Sequence, residues 1–323
     1  MFSDYIKLTG RGEKGRRSLT QEEANNALTS YLDGDAELLQ LAVLLMLQRV
    51  RCETPEEAAG YIQALRKTIA TEWQELDVDL DWPCFAGKKR QPPWLLLAAK
   101  VLAQQGKRIV LHGFKAVDAV KYQVEEACPT LGIEIATSAE QAQQILAQNN
   151  ICYLPLSAYC PKLIPLLALR EKVGLRTPLN TVARSLNPCA APFAIHGVFH
   201  KGYEKLHAQA ALLTNEVNMI AFKGEGGESE VNPRVSTAIC GVGSSVYMEE
   251  EWPTYLQRAS GAHTTVSAQY LQTVWSGEIN DSYGDAAVVC TVALLLKQFD
   301  REATQQQCVD LAKQYWQERD KSL

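Results

Sequence analysis

The feature that most constrains this chain is an alternation of short β-type runs with helix-length stretches. The β-type runs are 78–82, 108–112, 132–135, 151–154, 194–198 and 219–222. Stretches with helical periodicity lie between several of them, notably 94–105 and 139–148. Strands that are joined by helical crossovers pair in parallel, so this pattern predicts a mostly parallel sheet covered by helices.

The first 70 residues follow a purely helical pattern. A capping box is indicated by a hydroxyl at Ser18 or Thr20 with Gln21 or Glu23 three residues later. The apolar stretch 38–50 is too long for a strand, a second helical stretch covers 161–173, and the chain ends in helix-type stretches at 285–298 and 302–319.

These patterns together predict the α/β fold class with two domains. The first is a small, mostly helical N-terminal domain of residues 1–70, to which returning helices at about 155–185 belong. The second is a larger α/β domain of residues 75–150 and 190–323 with a central, mostly parallel sheet.

Composition narrows the class of protein. Hydrophobic residues make up 46% and charged residues 21% of the 323 residues, as in ordinary globular proteins. No apolar run reaches the roughly 18–20 residues that a membrane span needs, and the N-terminus has no signal-peptide pattern. The nine cysteines form no C-x-x-C pair, so we expect reduced thiols, a cytoplasmic location and no zinc ribbon.

Charge is distributed unevenly along the chain. The formal net charge is −5, which by itself disfavours a nucleic-acid partner. Between positions 84 and 121, however, eight basic residues stand against one acid, Asp118, whereas 216–251 is strongly acidic. A local basic surface matters more than the sum when the partner is a polyanion.

Three stretches resemble the anthranilate phosphoribosyltransferase family, glycosyltransferase family 3. The stretch 19–60 resembles the N-terminal helical domain of the family in the order and spacing of its motifs. The stretch from Arg170 through Gly174, Arg176 and Asn180 to Leu186-Asn187-Pro188 is similar to a family signature, R-x-x-x-G-x-R-T-x-x-N with L-x-N-P. The C-terminal pattern, Trp275-Ser276-Gly277 and then 285–288 before a long helix, completes the resemblance.

The resemblance implies a phosphoribosyltransferase or nucleoside phosphorylase-like fold with its site in the cleft between the two domains. It also implies a homodimer formed through the helical domain. Family enzymes transfer the phosphoribosyl group of phosphoribosyl pyrophosphate (PRPP), with magnesium, to anthranilate.

The motifs that carry this reaction in the family are altered here. The Gly-Thr-Gly-Gly-Asp loop that binds PRPP corresponds to 84–93, where Gly87 is the one glycine and Lys88, Lys89 and Arg90 follow it. Glycines let backbone amides approach a pyrophosphate, and the two prolines of this stretch, Pro92 and Pro93, remove amide donors.

The motifs that bind the metal and the acceptor in the family are altered as well. The family's Lys-His-Gly-Asn-Arg segment retains only His112 and Gly113, and its magnesium-binding Asp-Glu pair corresponds to Glu228-Ser229. Glu228 and Glu230 are therefore only weak metal candidates. The histidine-containing loop that faces the aromatic acid corresponds to 156–162, which has no histidine. Loss of magnesium removes charge stabilisation from the departing pyrophosphate.

Basic residues in these regions are the candidate nucleic-acid or phosphate contacts. Lysines and arginines neutralise backbone phosphates, and a flexible basic segment can follow a strand. The candidates are Arg11, Lys14, Arg16, Arg17, Lys88, Lys89, Arg90, His112, Lys115, Lys121, Arg170, Arg176 and Lys201. Each has an alternative structural role, as a solvated loop residue, a frayed terminus or a packed side chain. We predict no catalytic residue. The glycine-rich stretch 241–245 lacks a nucleotide-binding fingerprint and is interpreted as a turn.

Two functions of different class follow. The first is sequence-independent binding of DNA or RNA by a homodimer without a cofactor, as the resemblance to the divergent YbiB-type branch of the family implies. Phe114 and Tyr122 lie among the basic residues and are candidates to stack on bases, while Trp94 is expected in the core. The alternative is an active phosphoribosyltransferase for anthranilate or a related small acceptor, with PRPP as donor and magnesium. An interaction scaffold without nucleic acid is a third possibility.

Overall fold

A computed structural model describes residues 1–115, 121–257 and 266–322. The N-terminal part is helical: α1 Phe2–Gly10, α2 Gln21–Leu32, α3 Leu38–Arg51, α4 Pro55–Arg66 and α5 Thr71–Gln74. The predicted capping box is confirmed at Thr20, whose hydroxyl accepts from the Glu23 amide while the Glu23 carboxylate accepts from the Thr20 amide. The segment that carries the N-terminal basic residues lies between α1 and α2 and is tied down where the Arg17 amide donates to the Leu8 carbonyl, 2.9 Å away.

A seven-stranded sheet forms the larger domain. Its strands are β1 Leu80–Cys84, β2 Ile109–Gly113, β3 Ile151–Pro155, β4 Phe193–Val198, β5 Asn218–Lys223, β6 Thr237–Gly243 and β7 Val246–Trp252. The order is β3-β2-β1-β4-β5-β6-β7. The first five strands pair in parallel, and β6 and β7 add an antiparallel hairpin. The predicted α/β class and mostly parallel sheet are confirmed.

Helices cover the sheet and complete the chain. They are α6 Leu95–Gln104, α7 Val124–Ala127, α8 Ala139–Asn149, α9 Leu156–Tyr159, α10 Ile164–Leu167, α11 Leu169–Val173, α12 Leu179–Val182, α13 Tyr203–Leu213, α14 Ala268–Ser276, α15 Ser282–Phe299 and α16 Gln305–Glu318. Single 3-10 turns lie at Pro129–Leu131, Pro161–Leu163, Ala183–Ser185 and Glu225–Gly227.

Two sequence predictions of local structure are wrong. The expected strand at 132–135 makes only one bridge, between Ile135 and Tyr153. Gly132, in a left-handed conformation at φ 69°, ends the 3-10 turn before this stretch, and Ser138 caps the helix after it. The stretch 241–245 is not a turn throughout, because 241–243 continue β6 and only Ser244 and Ser245 form the connection to β7.

Among the described residues two large hydrophobic cores lie on opposite faces of the sheet, and a smaller cluster lies between β4–β6 and α13. One face packs on α6, α14, α15 and α16 and buries Trp94 completely, as expected for that side chain. The other core is shared by α1–α5, the helices of 156–186 and residues of β2 and β3. The returning helices thus pack with the N-terminal helices, while the exact boundaries between the domains stay a prediction. Among the described residues, no helix is both long and apolar enough to cross a bilayer.

Candidate functional site

The loop that follows β1 holds a carboxylate of the protein itself. The backbone amides of Ala86 and Gly87 both donate to Glu228 Oε1, over 2.8 and 2.6 Å. Glu228 is buried, and its second oxygen has no hydrogen-bond partner among the described residues. Amides at the carboxyl end of a parallel strand are well placed to bind an anion, and here the anion is Glu228.

Close backbone packing puts Glu228 in this position. The 3-10 turn before it has positive φ at Gly226 and Gly227, 70° and 90°. A Cβ on Gly197 of β4 would come within 2.2 Å of the Glu228 backbone carbon, so only glycine allows this approach. Ser229 completes the junction, because its hydroxyl accepts from the Gly197 amide at 2.7 Å.

Lys88 is neutralised in the same junction. Its ammonium lies 2.7 Å from Glu230 Oε1 and also donates to the Glu225 carbonyl at 3.1 Å. Glu230 accepts from the Leu95 amide at the start of α6, over 3.0 Å, and both charged side chains are at most 1% exposed. Burial raises the pKa of Glu230 to about 7, and the neighbouring Lys88 limits that rise. The candidate Lys88 is thus not available to an external phosphate in this arrangement.

The weak metal candidates do not fit a magnesium site. Glu228 and Glu230 are each engaged by donors from the protein and no second carboxylate stands next to either in the sequence. Magnesium prefers an octahedral shell of oxygens with several waters, which a buried junction filled by these side chains does not offer. Within the described ranges, no group of three or more His, Cys, Asp and Glu side chains is placed to hold a metal.

Several other candidates are held in structural contacts. His112 is buried, with Nε2 3.1 Å from Asp81 Oδ1 and Nδ1 2.7 Å from the Tyr159 hydroxyl. Lys121 donates to the Ala86 carbonyl at 2.8 Å and so supports the loop after β1. Arg17 pairs with Glu23 at 2.6 Å. The charged neighbour Asp118 lies outside the described residues.

The remaining candidates are accessible. Arg11, Lys14, Arg16, Lys89, Arg90 and Lys201 are exposed. Lys115 is exposed beside Glu126, 2.9 Å away. Of all the predicted contacts, the structure brings Lys115, Arg170 and Arg176 together along the cleft between the two domains.

A large cavity of about 700 Å³ occupies this cleft. Phe85 and Phe114 line it together with the aliphatic face of α10. Its charged lining, among the described residues, consists of Lys115, Arg170, Arg176, Arg184 and one acid, Glu171. Aromatic rings beside guanidinium groups provide both stacking surfaces and phosphate partners. Among the candidate stacking residues Phe114 thus lines the cleft, whereas Tyr122 packs against the core of the sheet.

A small cavity of about 90 Å³ shares Arg176, Asn180 and Arg184 with the large cavity. Arg49 and Glu53 from the helical domain, and His200 and Tyr203 from the α/β domain, are among its other lining residues. Two regions more than a hundred residues apart therefore contribute cations to one place.

Arg49 and Arg184 were missed in the sequence. Arg184 lies between Asn180 and Leu186 inside the family-like signature, and that position was a usable signal. No local pattern distinguishes Arg49, on α3, from other helical arginines. Burial lowers the pKa of Arg184, Glu228 opposes this shift and the like charge of Arg176 adds to it. Guanidinium groups that repel each other in this way favour an anion between them.

Family comparisons follow the same division of the chain. A family described as "Glycosyl transferase family, helical bundle domain" matches residues 3–69, and "Glycosyl transferase family, a/b domain" matches residues 96–318. The chain belongs to this glycosyl transferase family. The two matches cover most of the chain.

Curated relatives are similar at modest identity. Anthranilate phosphoribosyltransferase of Syntrophomonas wolfei is 26% identical over 309 residues, 92% of this chain and 88% of the relative. That of Geobacillus stearothermophilus is 26% identical over 241 residues, 74% and 69% of the two chains. "Uncharacterized protein YbiB" of Escherichia coli is 28% identical over 239 residues, 72% and 73%.

Solved structures show the same fold. Anthranilate phosphoribosyltransferase of Thermus thermophilus superposes with a TM-score of 0.77 at 20% identity, covering 98% of this chain and 94% of that one. The Saccharomyces cerevisiae enzyme in complex with PRPP and Mg gives a TM-score of 0.78 at 17% identity, covering 98% and 93%. Two of these curated relatives and both solved structures are named as anthranilate phosphoribosyltransferases.

Proposed function

We propose that this protein binds nucleic acid without sequence preference in its interdomain cleft and does not transfer phosphoribosyl groups. The observation that carries the proposal is the Glu228 carboxylate on the amides of Ala86 and Gly87. A pyrophosphate on the same amides would have to displace a buried carboxylate or stand against it, and both are costly in a buried junction.

The charge that stays accessible is arranged for a polymer. Lys115, Arg170, Arg176 and Arg184 line an open cavity with Phe85 and Phe114. Backbone phosphates of a polymer need point charges along a surface and not a glycine cradle, and unpaired bases stack on aromatic rings. A single strand satisfies both requirements of this surface.

A homodimer would double this surface. Apolar residues of α3 recur at 39, 43, 46 and 50, so they share one helix face. Leu39, Val43 and Val50 are 71%, 39% and 81% exposed. We propose that a second copy covers this face, because exposed apolar stripes favour association and two clefts on one dimer bind a long strand with avidity.

Phosphoribosyl transfer is the second candidate function. The similarity to anthranilate phosphoribosyltransferases over most of the chain favours it. Here PRPP and magnesium would be required, with anthranilate or a related small molecule as acceptor. The occupied loop and the missing carboxylate pair do not fit those two ligands.

Fluorescence polarisation with a labelled single-stranded oligonucleotide, titrated across salt, tests the proposal. We expect affinity to fall steeply with salt, because phosphate neutralisation releases counterions, and to be indifferent to excess PRPP with magnesium. Arg184→Ala should weaken binding and reduce the salt slope by about one. Arg108→Ala is the matched control, since Arg108 pairs with Asp77 away from either cavity.

The same experiment, combined with a turnover assay, can also refute nucleic-acid binding. If neither DNA nor RNA binds at low salt and the protein forms phosphoribosylanthranilate from PRPP and anthranilate, nucleic-acid binding is refuted and the second candidate replaces it.

A further inference from the structure

The small cavity has the chemistry of a terminal phosphate site. Its guanidinium groups come from Arg49 of α3, from Arg176 and from Arg184, which follows α12. Neither Arg49 nor Arg184 forms an ion pair with a residue in the described part of the chain. Arg49 instead donates to the Tyr203 hydroxyl at 3.2 Å, and Arg184 to the Asn180 carbonyl at 2.8 Å. Both keep donor capacity for an external anion.

A buried carboxylate stands among these cations. Glu53 is 5% exposed, and its Oε1 accepts from the Thr181 hydroxyl at 2.8 Å. Its Oε2 is buried and accepts no hydrogen bond from any described residue. An unsatisfied buried acceptor is costly, and a ligand that brings a hydroxyl removes that cost.

The backbone that presents Glu53 is strained. Cys52, directly before it, has φ 66° and ψ 131°, and a positive φ is uncommon for a residue other than glycine. Such strain persists only where the surrounding structure imposes it, and it concentrates at binding sites. The turn between α3 and α4 therefore holds the Glu53 carboxylate at the cavity against a backbone preference.

Size and charge select the ligand. At about 90 Å³ the cavity is smaller than the roughly 150 Å³ enclosed cavity that holds benzene, so its volume suits a small group such as a phosphate better than a base. It ends against buried Val198 and His207. Burial lowers the pKa of His207 to about 3, so this histidine adds no positive charge. Among the described lining residues guanidinium groups outnumber the one carboxylate, Glu53, which favours an anion, and a phosphate monoester carries about −1.5 to −2 at neutral pH.

We propose that the small cavity binds the 5′-terminal phosphate monoester of an RNA strand whose next nucleotides lie in the large cavity. The guanidinium groups hold the phosphate, and a ribose 2′-hydroxyl donates to Glu53 Oε2. A 2′-hydroxyl donor is the group by which proteins separate RNA from DNA. The inference rests on the proposed function, because the two cavities share Arg176, Asn180 and Arg184.

Three single-stranded oligonucleotides of one sequence test it by fluorescence polarisation: 5′-phosphate RNA, 5′-hydroxyl RNA and 5′-phosphate DNA. We expect the first to bind about tenfold more tightly than the second, since the terminal phosphate adds charge-assisted hydrogen bonds. Inorganic phosphate in excess should reduce this ratio, while a phosphate that competes with both RNAs equally would refute a terminal site.

Variants separate the two cavities. Arg49→Ala should bring the ratio of the two RNA affinities to about one, and Arg49→Lys should restore part of it. Lys115→Ala, at the large cavity only, should weaken both RNAs and leave their ratio unchanged. Glu53→Gln should reduce the preference for RNA over DNA. Thermal unfolding of each variant verifies that the fold is kept.

The outcomes are distinguishable from failure of the proposed function. Equal binding of the phosphate and hydroxyl RNAs overturns this inference and leaves nucleic-acid binding intact. Equal binding of 5′-phosphate RNA and DNA overturns the role of Glu53. Failure of all three oligonucleotides to bind overturns the proposed function itself.

Discussion

Replacing Glu228 by alanine removes the anion that fills the loop after β1. Two amide donors, from Ala86 and Gly87, then lose a charged acceptor in a buried junction. Hydrogen bonds to charged groups contribute about 1.5–3 kcal/mol each, so we expect Glu228→Ala to lower the free energy of unfolding by about 3–6 kcal/mol. That is a large part of the roughly 5–15 kcal/mol by which folded proteins are stable.

Glu228→Gln is the matched control. The amide keeps an acceptor oxygen for both donors and loses the charge, so we expect a smaller loss of about 1–2 kcal/mol. Urea denaturation, followed by tryptophan fluorescence and far-UV circular dichroism, measures both variants. The two probes should give coincident transitions if unfolding is two-state.

Added pyrophosphate completes the test. The alanine variant leaves the two amide donors without an acceptor, so they can bind an added anion. A ligand present at about one hundred times its Kd stabilises the folded state by about 2.7 kcal/mol. We expect pyrophosphate to recover stability in Glu228→Ala and to leave the wild-type midpoint unchanged. A wild-type protein that pyrophosphate stabilises as much as the variant would refute the interpretation that Glu228 occupies an anion site, and so would a fully stable, unresponsive variant.

Three further predictions concern other parts of the molecule. Val50→Asp places a charge on the exposed apolar face of α3, so a homodimer through this face should become monomeric in light scattering, whereas Lys7→Asp should not have this effect. Burial lowers the pKa of His207 from 6.5 to about 3, so below pH 6.5 the unfolded chain takes up a proton that the folded protein does not. Stability should therefore fall by up to about 5 kcal/mol as pH decreases from 6.5 towards 3. His207→Gln should flatten that part of the stability profile, and an identical profile would contradict this prediction. Gly197→Ala forces a Cβ to within 2.2 Å of the Glu228 backbone and should destabilise by about 2 kcal/mol or more in urea titrations, whereas Gly12→Ala, with open space around it, should change stability little.

The local sequence pattern was enough to predict most of the fold. The alternation of β-type and helical runs predicted β1 to β5 and their parallel pairing, because each strand with its crossover helix is a local unit with its own periodicity. The capping box at Thr20 was predictable for the same reason. The stretch 132–135 has the composition of a strand but makes only the bridge between Ile135 and Tyr153, because pairing is decided by the neighbouring chain and not by composition alone.

The sequence also determined which motifs of the family are absent. Gly87 is the one glycine of the stretch 84–93, and Glu228 is followed by a serine. Both facts are visible in the sequence and already exclude a glycine cradle and an adjacent carboxylate pair. Family membership itself depends on spaced identities along the chain and needs no contact information.

The fate of each charge was decided by contacts between distant segments. Lys88 looked like one of three equivalent basic residues, yet it is buried against Glu230, 142 residues later, while Lys89 and Arg90 remain exposed. Arg49 and Arg184 meet at one cavity although 135 residues separate them. Periodicity specifies which face of an element is buried, but not which distant loop lies opposite it. Strand order and the packing of the helical domain on the sheet fix that choice, and with it the position of the candidate site.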